Sequence, residues 1–239
     1  MKINLMTFNI QHGFDHRTKA GINLPLMAET IKKCGGEIVG LNEVRGESDH
    51  PEYTAQAAFL AEQLGYEYYF APALILAGPY GNALLSKYPI LKAEVFPIED
   101  PPVKDENAYY ETRCILKALI GIPGLKEGLT VFVSHFGLAK AEERNAVKKI
   151  CELLKDVSGP CVFMGDLNME PHDKILKPVY EILKDTAVLF DKPKLSFPSN
   201  NPRVKIDYIF VDKNMEVLSA DIPEIVASDH RPHIATIDL

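Results

Sequence analysis

Asp207 lies inside the run Ile206-Asp207-Tyr208-Ile209-Phe210-Val211, whose other side chains call for burial. A carboxylate there costs several kcal/mol unless a cation, a histidine or a strong donor meets it; satisfaction by backbone amides is the plainer alternative. Other polar residues close apolar runs: Asn9 follows LMTF, Glu43 follows IVGLN, His135 follows VFVS, and Asp166 with Asn168 follows CVFMG. In layered α/β folds such strand ends converge on one rim, where ligands bind. Singly, each has a bland reading, since Asn and Asp also start turns and a lone histidine is commonly structural. Together they point to one site, to which Asp229 and His230, just before the last apolar run, add a carboxylate and an imidazole.

The chemistry this set could do is narrow. Asn9, Glu43, Asp166, Asn168 and Asp229 supply oxygen atoms, which suit Mg²⁺ or Mn²⁺; Zn²⁺ would draw in Cys or more His. Ser228-Asp229-His230 imitates a serine-hydrolase triad, but three consecutive residues cannot form the relay and no G-x-S-x-G elbow exists. H-E-x-x-H and G-x-x-x-x-G-K-[ST] are also missing, which sets aside zinc-protease and P-loop readings.

These residues need a scaffold of strands. Residues 2–8 and 37–42 read as buried strands, and the segment between them carries helix signals: Asn23 as cap, Pro25 in the first turn, Gly35-Gly36 as stop. A second helix is expected at about 53–64, then strands in YEYYF, ALILA, GNALLS, KAEVFPI, TRCILKALI and LTVFVSH. Val147, Ile150, Cys151 and Leu154 form an amphipathic helical stripe leading to the strand CVFMG. After a helix expected at 172–183 comes the turn-rich SFPSNNPRVK, then strands in IDYIFV, MEVLSA and HIATIDL. A strand-helix-strand unit therefore occurs twice. The order suggests one domain over residues 1–239, an α+β four-layer sandwich of two packed sheets with helices outside.

Bulk composition selects no activity: 46% hydrophobic and 25% charged residues are ordinary for a globular chain. The net charge of −7 repels a polyphosphate backbone, which disfavours a dedicated duplex-DNA binder, although a divalent cation can reverse the potential inside one cleft. Cys34, Cys114, Cys151 and Cys161 show no C-x-x-C spacing, so neither a zinc knot nor a disulfide framework is expected. No stretch approaches the ~18 apolar residues of a membrane span, and MKINLMTFNI lacks the apolar core of a signal peptide. The expected location is the cytoplasm.

The segments TFNI, LNEV, GNALLSKYPI, SHFGL, GDLN, KIDYIFV and SDHRPHIA, in this order, resemble the endonuclease/exonuclease/phosphatase superfamily, whose fold is like that of deoxyribonuclease I. The resemblance runs from residue 7 to residue 235. It implies an α/β/β/α sandwich with a Mg²⁺ or Mn²⁺ site on its rim. On that footing Glu43 is the principal metal ligand, with Asn9 close by and Asp229 acting directly or through water. Asp166 positions or deprotonates the attacking water, and Asn168 fixes the phosphate or the nucleophile. His135 and His230 donate to phosphate oxygens, and Asp207 orients His230 and keeps it cationic. Asn82 and Arg113 lie in segments that match those lining the phosphate, with a structural ion pair as the alternative for Arg113.

The implied activity is metal-dependent phosphoester hydrolysis, and the sequence leaves open whether Asp166 or a histidine is the base. With no Trp and an acidic balance, a small or flexible phosphoester is the expected partner. A DNA-repair or RNA-processing nuclease is the alternative, and a binding module on the same fold a second. Specificity candidates are the stretch IEDPPVKDENAYYE and the loop carrying Phe197, Arg203 and Lys205, which could also be a mere connector. Nothing in the sequence sets the oligomeric state.

Overall fold

The computed structural model describes residues 1–49, 53–75 and 77–239. The first half builds β1 (Lys2–Asn9), α1 (Leu24–Cys34), β2 (Ile38–Arg45), α2 (Gln56–Leu64), β3 (Glu67–Ile75), β4 (Pro79–Ser86) and β5 (Ile90–Pro97). The second half adds β6 (Cys114–Ile120), β7 (Leu129–His135), α3 (Lys140–Lys155), β8 (Cys161–Asp166), α4 (Lys177–Ile182), β9 (Leu183–Asp185), β10 (Asp207–Asp212), β11 (Glu216–Asp221) and β12 (His233–Asp238). They form two six-stranded sheets, ordered β11-β12-β1-β2-β4-β3 and β5-β6-β7-β8-β10-β9. Each sheet has one parallel pair near its centre, β1 with β2 and β7 with β8, linked by a helical crossover.

Three apolar layers hold the sandwich. Ile3, Leu5, Ile38 and Leu84 of the first sheet pack on Leu116, Val133, Met164 and Ile209 of the second. Met6, Phe8 and Val39 face Met27, Ile31 and Leu60 of α1 and α2, while Phe132, Phe163 and Phe210 face Ile150, Leu154 and Val179 of α3 and α4. The alternation of side chains along each strand thus feeds two cores at once, giving the expected four layers.

Helix α1 starts and stops where its sequence signals lie. Asn23 accepts the Leu26 N–H at 3.2 Å, and Gly35 ends the helix at φ +69°. Two segments differ from expectation. YEYYF and the start of ALILA are one bulged edge strand, β3, whose Pro72 is tolerated there because it lacks only a ladder donor; Leu76 lies outside the described residues. The expected helix at 172–183 is instead a 3₁₀ turn at Lys174–Leu176, the six-residue α4 and the short β9, since Leu183 is drawn into a ladder with Asp212.

Polar ties cross the otherwise dry contact between the sheets. Asn42 of β2 accepts the Asp166 N–H at 2.9 Å, and its Nδ2 donates to Asn82 Oδ1 at 2.8 Å and to the Ser134 carbonyl at 3.0 Å. Asn82 of β4 donates to the Cys114 carbonyl at 3.2 Å. A second tie runs through the fully buried His233 of β12, whose Nδ1 lies 3.2 Å from the Asp207 carbonyl and whose Nε2 lies 3.0 Å from the Thr186 hydroxyl. The carbonyl can only accept, so Nδ1 carries the proton, and the neutral ring accepts from Thr186.

Replacing Asn42 by Leu strands the Asp166 N–H and Asn82 Oδ1, and the expected loss is about 2 kcal/mol or more in urea unfolding. Asn42→Leu with Asn82→Leu should cost less than the two single changes added. For His233, burial lowers the pKa from 6.5 to about 4. The unfolded chain therefore takes up the proton first, so stability is complete above about pH 6.5 and falls as pH drops toward about 4. Unfolding midpoints across this window should fall less steeply in His233→Gln; an unchanged slope would assign the acid sensitivity elsewhere.

Candidate active site

The C-terminal ends of the parallel pairs meet at one rim. Asn9 is in register with Asn42, and Asp166 with both His135 and Asp207, so the ladders alone bring these residues level. Glu43 is turned toward the rim by a bulge: the β2–β4 ladder slips between Leu41 and Val44, and Glu43 adopts φ +57°. Asn168 at φ +53°, with Gln11 and His12 at +45° and +46°, places further left-handed, non-glycine backbone beside the site, as functional strain commonly is. Gly165 holds φ +147° just before Asp166, where a Cβ would sit 1.8 Å from the Ser134 carbonyl oxygen; only glycine lets the strands approach so closely.

Asp166 is the hub. Its Oδ2 accepts from Asn9 Nδ2 at 3.1 Å and lies 3.4 Å from His135 Nε2 and 3.6 Å from His230 Nε2. Its Oδ1 accepts the Asn168 N–H at 3.0 Å. The same Asn9 amide donates to Glu43 Oε1 at 3.0 Å, while Asn9 Oδ1 is taken up by the Gln11 N–H at 3.0 Å. Asn9 therefore bridges two carboxylates with its NH₂ group, while its carbonyl, which has a second lone pair, accepts from Gln11. Burial raises the Asp166 pKa to about 7, opposed by the charge of His230.

His230 donates from Nδ1 to Asp207 Oδ2 at 2.9 Å. Burial alone would disfavour its charge, but Asp207, Asp166 and Asp229 outweigh it and lift the ring to about 10. The ring is thus cationic at neutral pH, which answers the burial cost of Asp207. Asp207 Oδ1 has no partner among the described residues and adds to the negative field that holds the imidazolium.

Asp166, Asp207 and His230 come within 4.8 Å of one another and could in principle cage an ion. Their chemistry argues otherwise, because Asp207 Oδ2 is spent on a cationic ring that would repel a second cation. Glu43 and Asp229 fit a divalent ion better. Burial raises the Asp229 pKa; the charge of His230 opposes this and that of Glu43 adds to it. Both offer the hard oxygen atoms that Mg²⁺ and Mn²⁺ select.

Sequence reasoning passed over several residues here. His12 places Nδ1 3.7 Å from Glu43 Oε2, and burial raises the pKa of the Tyr80 phenol, with the charge of the same carboxylate adding to it. Asn42 stands beside Glu43 in LNEV, and its inward direction continues the Ile38–Gly40 face of β2, a plain alternation that no motif marks as functional. For His12 the signal was its place three residues after the end of β1.

The expected substrate contacts divide. Phe197 tilts over His230 with ring centroids 4.7 Å apart, and Arg203 is exposed. Asn82 does not face the rim: both ends of its amide are consumed by Asn42 and Cys114. Arg113 is buried between Glu111, at 2.5 Å, and His135 Nδ1, at 3.1 Å. Lys205 is not a ligand-facing cation; it is buried, paired with Asp185 at 2.9 Å and seated 3.3 Å over the Tyr208 ring.

The chain is 28% identical to the uncharacterised protein YbhP of Escherichia coli K12, over 98% of this chain and 96% of that one. Its fold is shared with an endonuclease/exonuclease/phosphatase family protein of Bacteroides thetaiotaomicron, at TM-score 0.82 and 18% identity over 100% of this chain and 99% of that one. A mannosyl-6-phosphatase of the same organism superposes at TM-score 0.79 with 17% identity, covering 99% and 100% of the two chains. The model of the Endonuclease/Exonuclease/phosphatase family matches residues 6–230, which include every polar strand end described above, and the chain belongs to that family.

Proposed function

We propose that this family member is a Mg²⁺- or Mn²⁺-dependent phosphoesterase acting on a small or flexible phosphoester. One observation carries the reading: Glu43, Asn9, Asp166 and His230 form an unbroken chain of contacts, each link 3.6 Å or shorter, although their positions span more than two hundred residues. A phosphoryl group seated over Asp166 Oδ2 would meet two imidazole Nε2 atoms there, with Glu43 reached through the Asn9 amide.

Phosphoryl transfer needs in-line positioning and donors aimed at charge growing on the equatorial oxygens. His230, fixed as a cation by Asp207, donates from Nε2 to one such oxygen, and His135 donates to another. Asp166, near neutrality in its proton affinity, takes the proton of the attacking water as the new P–O bond forms and the ester P–O bond breaks. Asn168 and Asn9 hold that carboxylate from both sides. A divalent ion bound by Glu43 and Asp229 would supply Lewis acidity and offset phosphate charge.

Substrate size follows from charge and shape. The chain carries −7 overall, and the Lys205 that might have served a polyanion is buried. Phe197, half-buried against His230, offers an apolar wall for an organic leaving group. Because a mannosyl-6-phosphatase shares the fold, sugar phosphates belong in the substrate screen beside nucleotides, lipid head groups and oligonucleotides. Oligonucleotide cleavage with a steep fall of affinity in salt would favour the nuclease alternative.

Treatment with EDTA should abolish hydrolysis of a generic phosphodiester such as bis(p-nitrophenyl) phosphate, and Mg²⁺ or Mn²⁺ should restore it. In Glu43→Gln the metal concentration for half-maximal activity should rise at least about tenfold, as loss of a charged ligand worth 1.4 kcal/mol implies; full turnover without metal would refute the reading. By contrast, His230→Ala should lower kcat by about 10²- to 10³-fold, the usual range for removal of one transition-state donor, and leave metal activation nearly unchanged. Activity close to that of the parent would remove His230 from its assigned role.

A further inference from the structure

The two imidazoles at Asp166 have opposite surroundings. His230 turns its Nδ1 to a carboxylate, whereas His135 turns its Nδ1 to the Arg113 guanidinium, 3.1 Å away. The same Arg113 Nη1 is held by Glu111 Oε1 at 2.5 Å. A guanidinium only donates and does not lose its proton in a protein. Nδ1 of His135 must therefore accept, which leaves the ring's single proton on Nε2.

The neighbours of Nε2 fit this. Asp166 Oδ2, an acceptor, lies 3.4 Å away. Asn168 Nδ2 lies 3.2 Å away, but that amide is oriented by donating to the Phe136 carbonyl at 3.0 Å. In the other tautomer Nε2 would accept from Asn168 while Nδ1–H pointed at a buried cation, exchanging a contact with a neutral amide for a charged clash. A doubly protonated ring would meet the same clash with a full positive charge of its own.

We infer that Arg113 is a positioning residue that locks His135 as the neutral ring protonated at Nε2, so that His135 serves the reaction as a fixed hydrogen-bond donor and not as a source of protons. Burial, Arg113 and His230 all act to lower the basicity of this ring. Two Nε2–H groups then converge on one point, one from a neutral ring and one from a cation. If His135 gave up its remaining proton it would become an imidazolate beside a carboxylate, so the proton that neutralises the departing alkoxide comes from His230 or solvent. This last consequence rests on the phosphoesterase reading; the tautomer does not.

The test uses the full chain labelled with ¹⁵N-histidine, without substrate, and two-bond ¹H–¹⁵N correlation at neutral pH, with His135→Gln assigning the signals. The expected pattern for His135 is an unprotonated, pyridine-type Nδ1 and a protonated, pyrrole-type Nε2. A protonated Nδ1, alone or with Nε2, overturns the inference. Arg113→Met should bring in Nδ1-protonated ring and lower kcat at least about tenfold, equivalent to 1.4 kcal/mol, with KM changed far less; Arg113→Lys, which keeps one donor, should restore the pattern and part of the rate. An unchanged ring in Arg113→Met would also overturn it. Should Arg113→Met not fold, the parent spectrum and Arg113→Lys decide. A correct tautomer in a chain that hydrolyses no phosphoester would refute only the phosphoesterase reading.

Discussion

Everything at the rim depends on two sheets staying in register with each other to within a hydrogen bond. Asn9 and Glu43 belong to the first sheet, His135, Asp166 and Asp207 to the second, and apolar packing alone does not fix such an alignment, because it is non-directional. The Asn42–Asn82 amides supply the direction. Asn42 grips the backbone of Asp166 itself, so the hub carboxylate is held by the opposite sheet. A buried polar network that is fully satisfied favours one arrangement over its neighbours, and here it does so beside the groups that need precision.

The same network explains how charge is sorted over a short span. Around Asp166 lie His230 backed by Asp207, His135 backed by Arg113, the Asn9 amide, and the carboxylates of Glu43 and Asp229. Each histidine meets a partner of its own at Nδ1, on the side away from Asp166. Environment, more than residue type, thus separates two histidines that look alike in the sequence, a recurrent route to distinct roles.

Much of this was legible in the chain. A carboxylate amid Ile, Tyr and Phe has few affordable explanations, and the one adopted, a histidine partner, is the one at Asp207 and His230. Polar residues closing apolar runs gave away the rim, since strand direction and sheet layering force such ends together. Directions inside the fold were not legible. Asn82 and Lys205 carry groups suited to a phosphate, yet one is turned inward by an amide partner and the other by Asp185, and neither partner is near in sequence. Asn42 was hidden by its neighbour: in LNEV it continues the Ile38–Gly40 face into the seam by regular alternation, while the bulge after it sends Glu43 to the rim. The short β9 and broken α4 escaped because proline and capping choices in a ten-residue stretch decide between close alternatives.

The place of β12 in the first sheet has a bearing on biosynthesis. This strand pairs with β1, made long before it, and the loop that leads into it carries Asp229 and His230. A ribosome-bound chain with both central strand pairs already formed would still lack one carboxylate and the imidazolium. The polar cluster at the rim can close only after the segment carrying Asp229 and His230 has been made, so products that stop before it would lack the assembled rim.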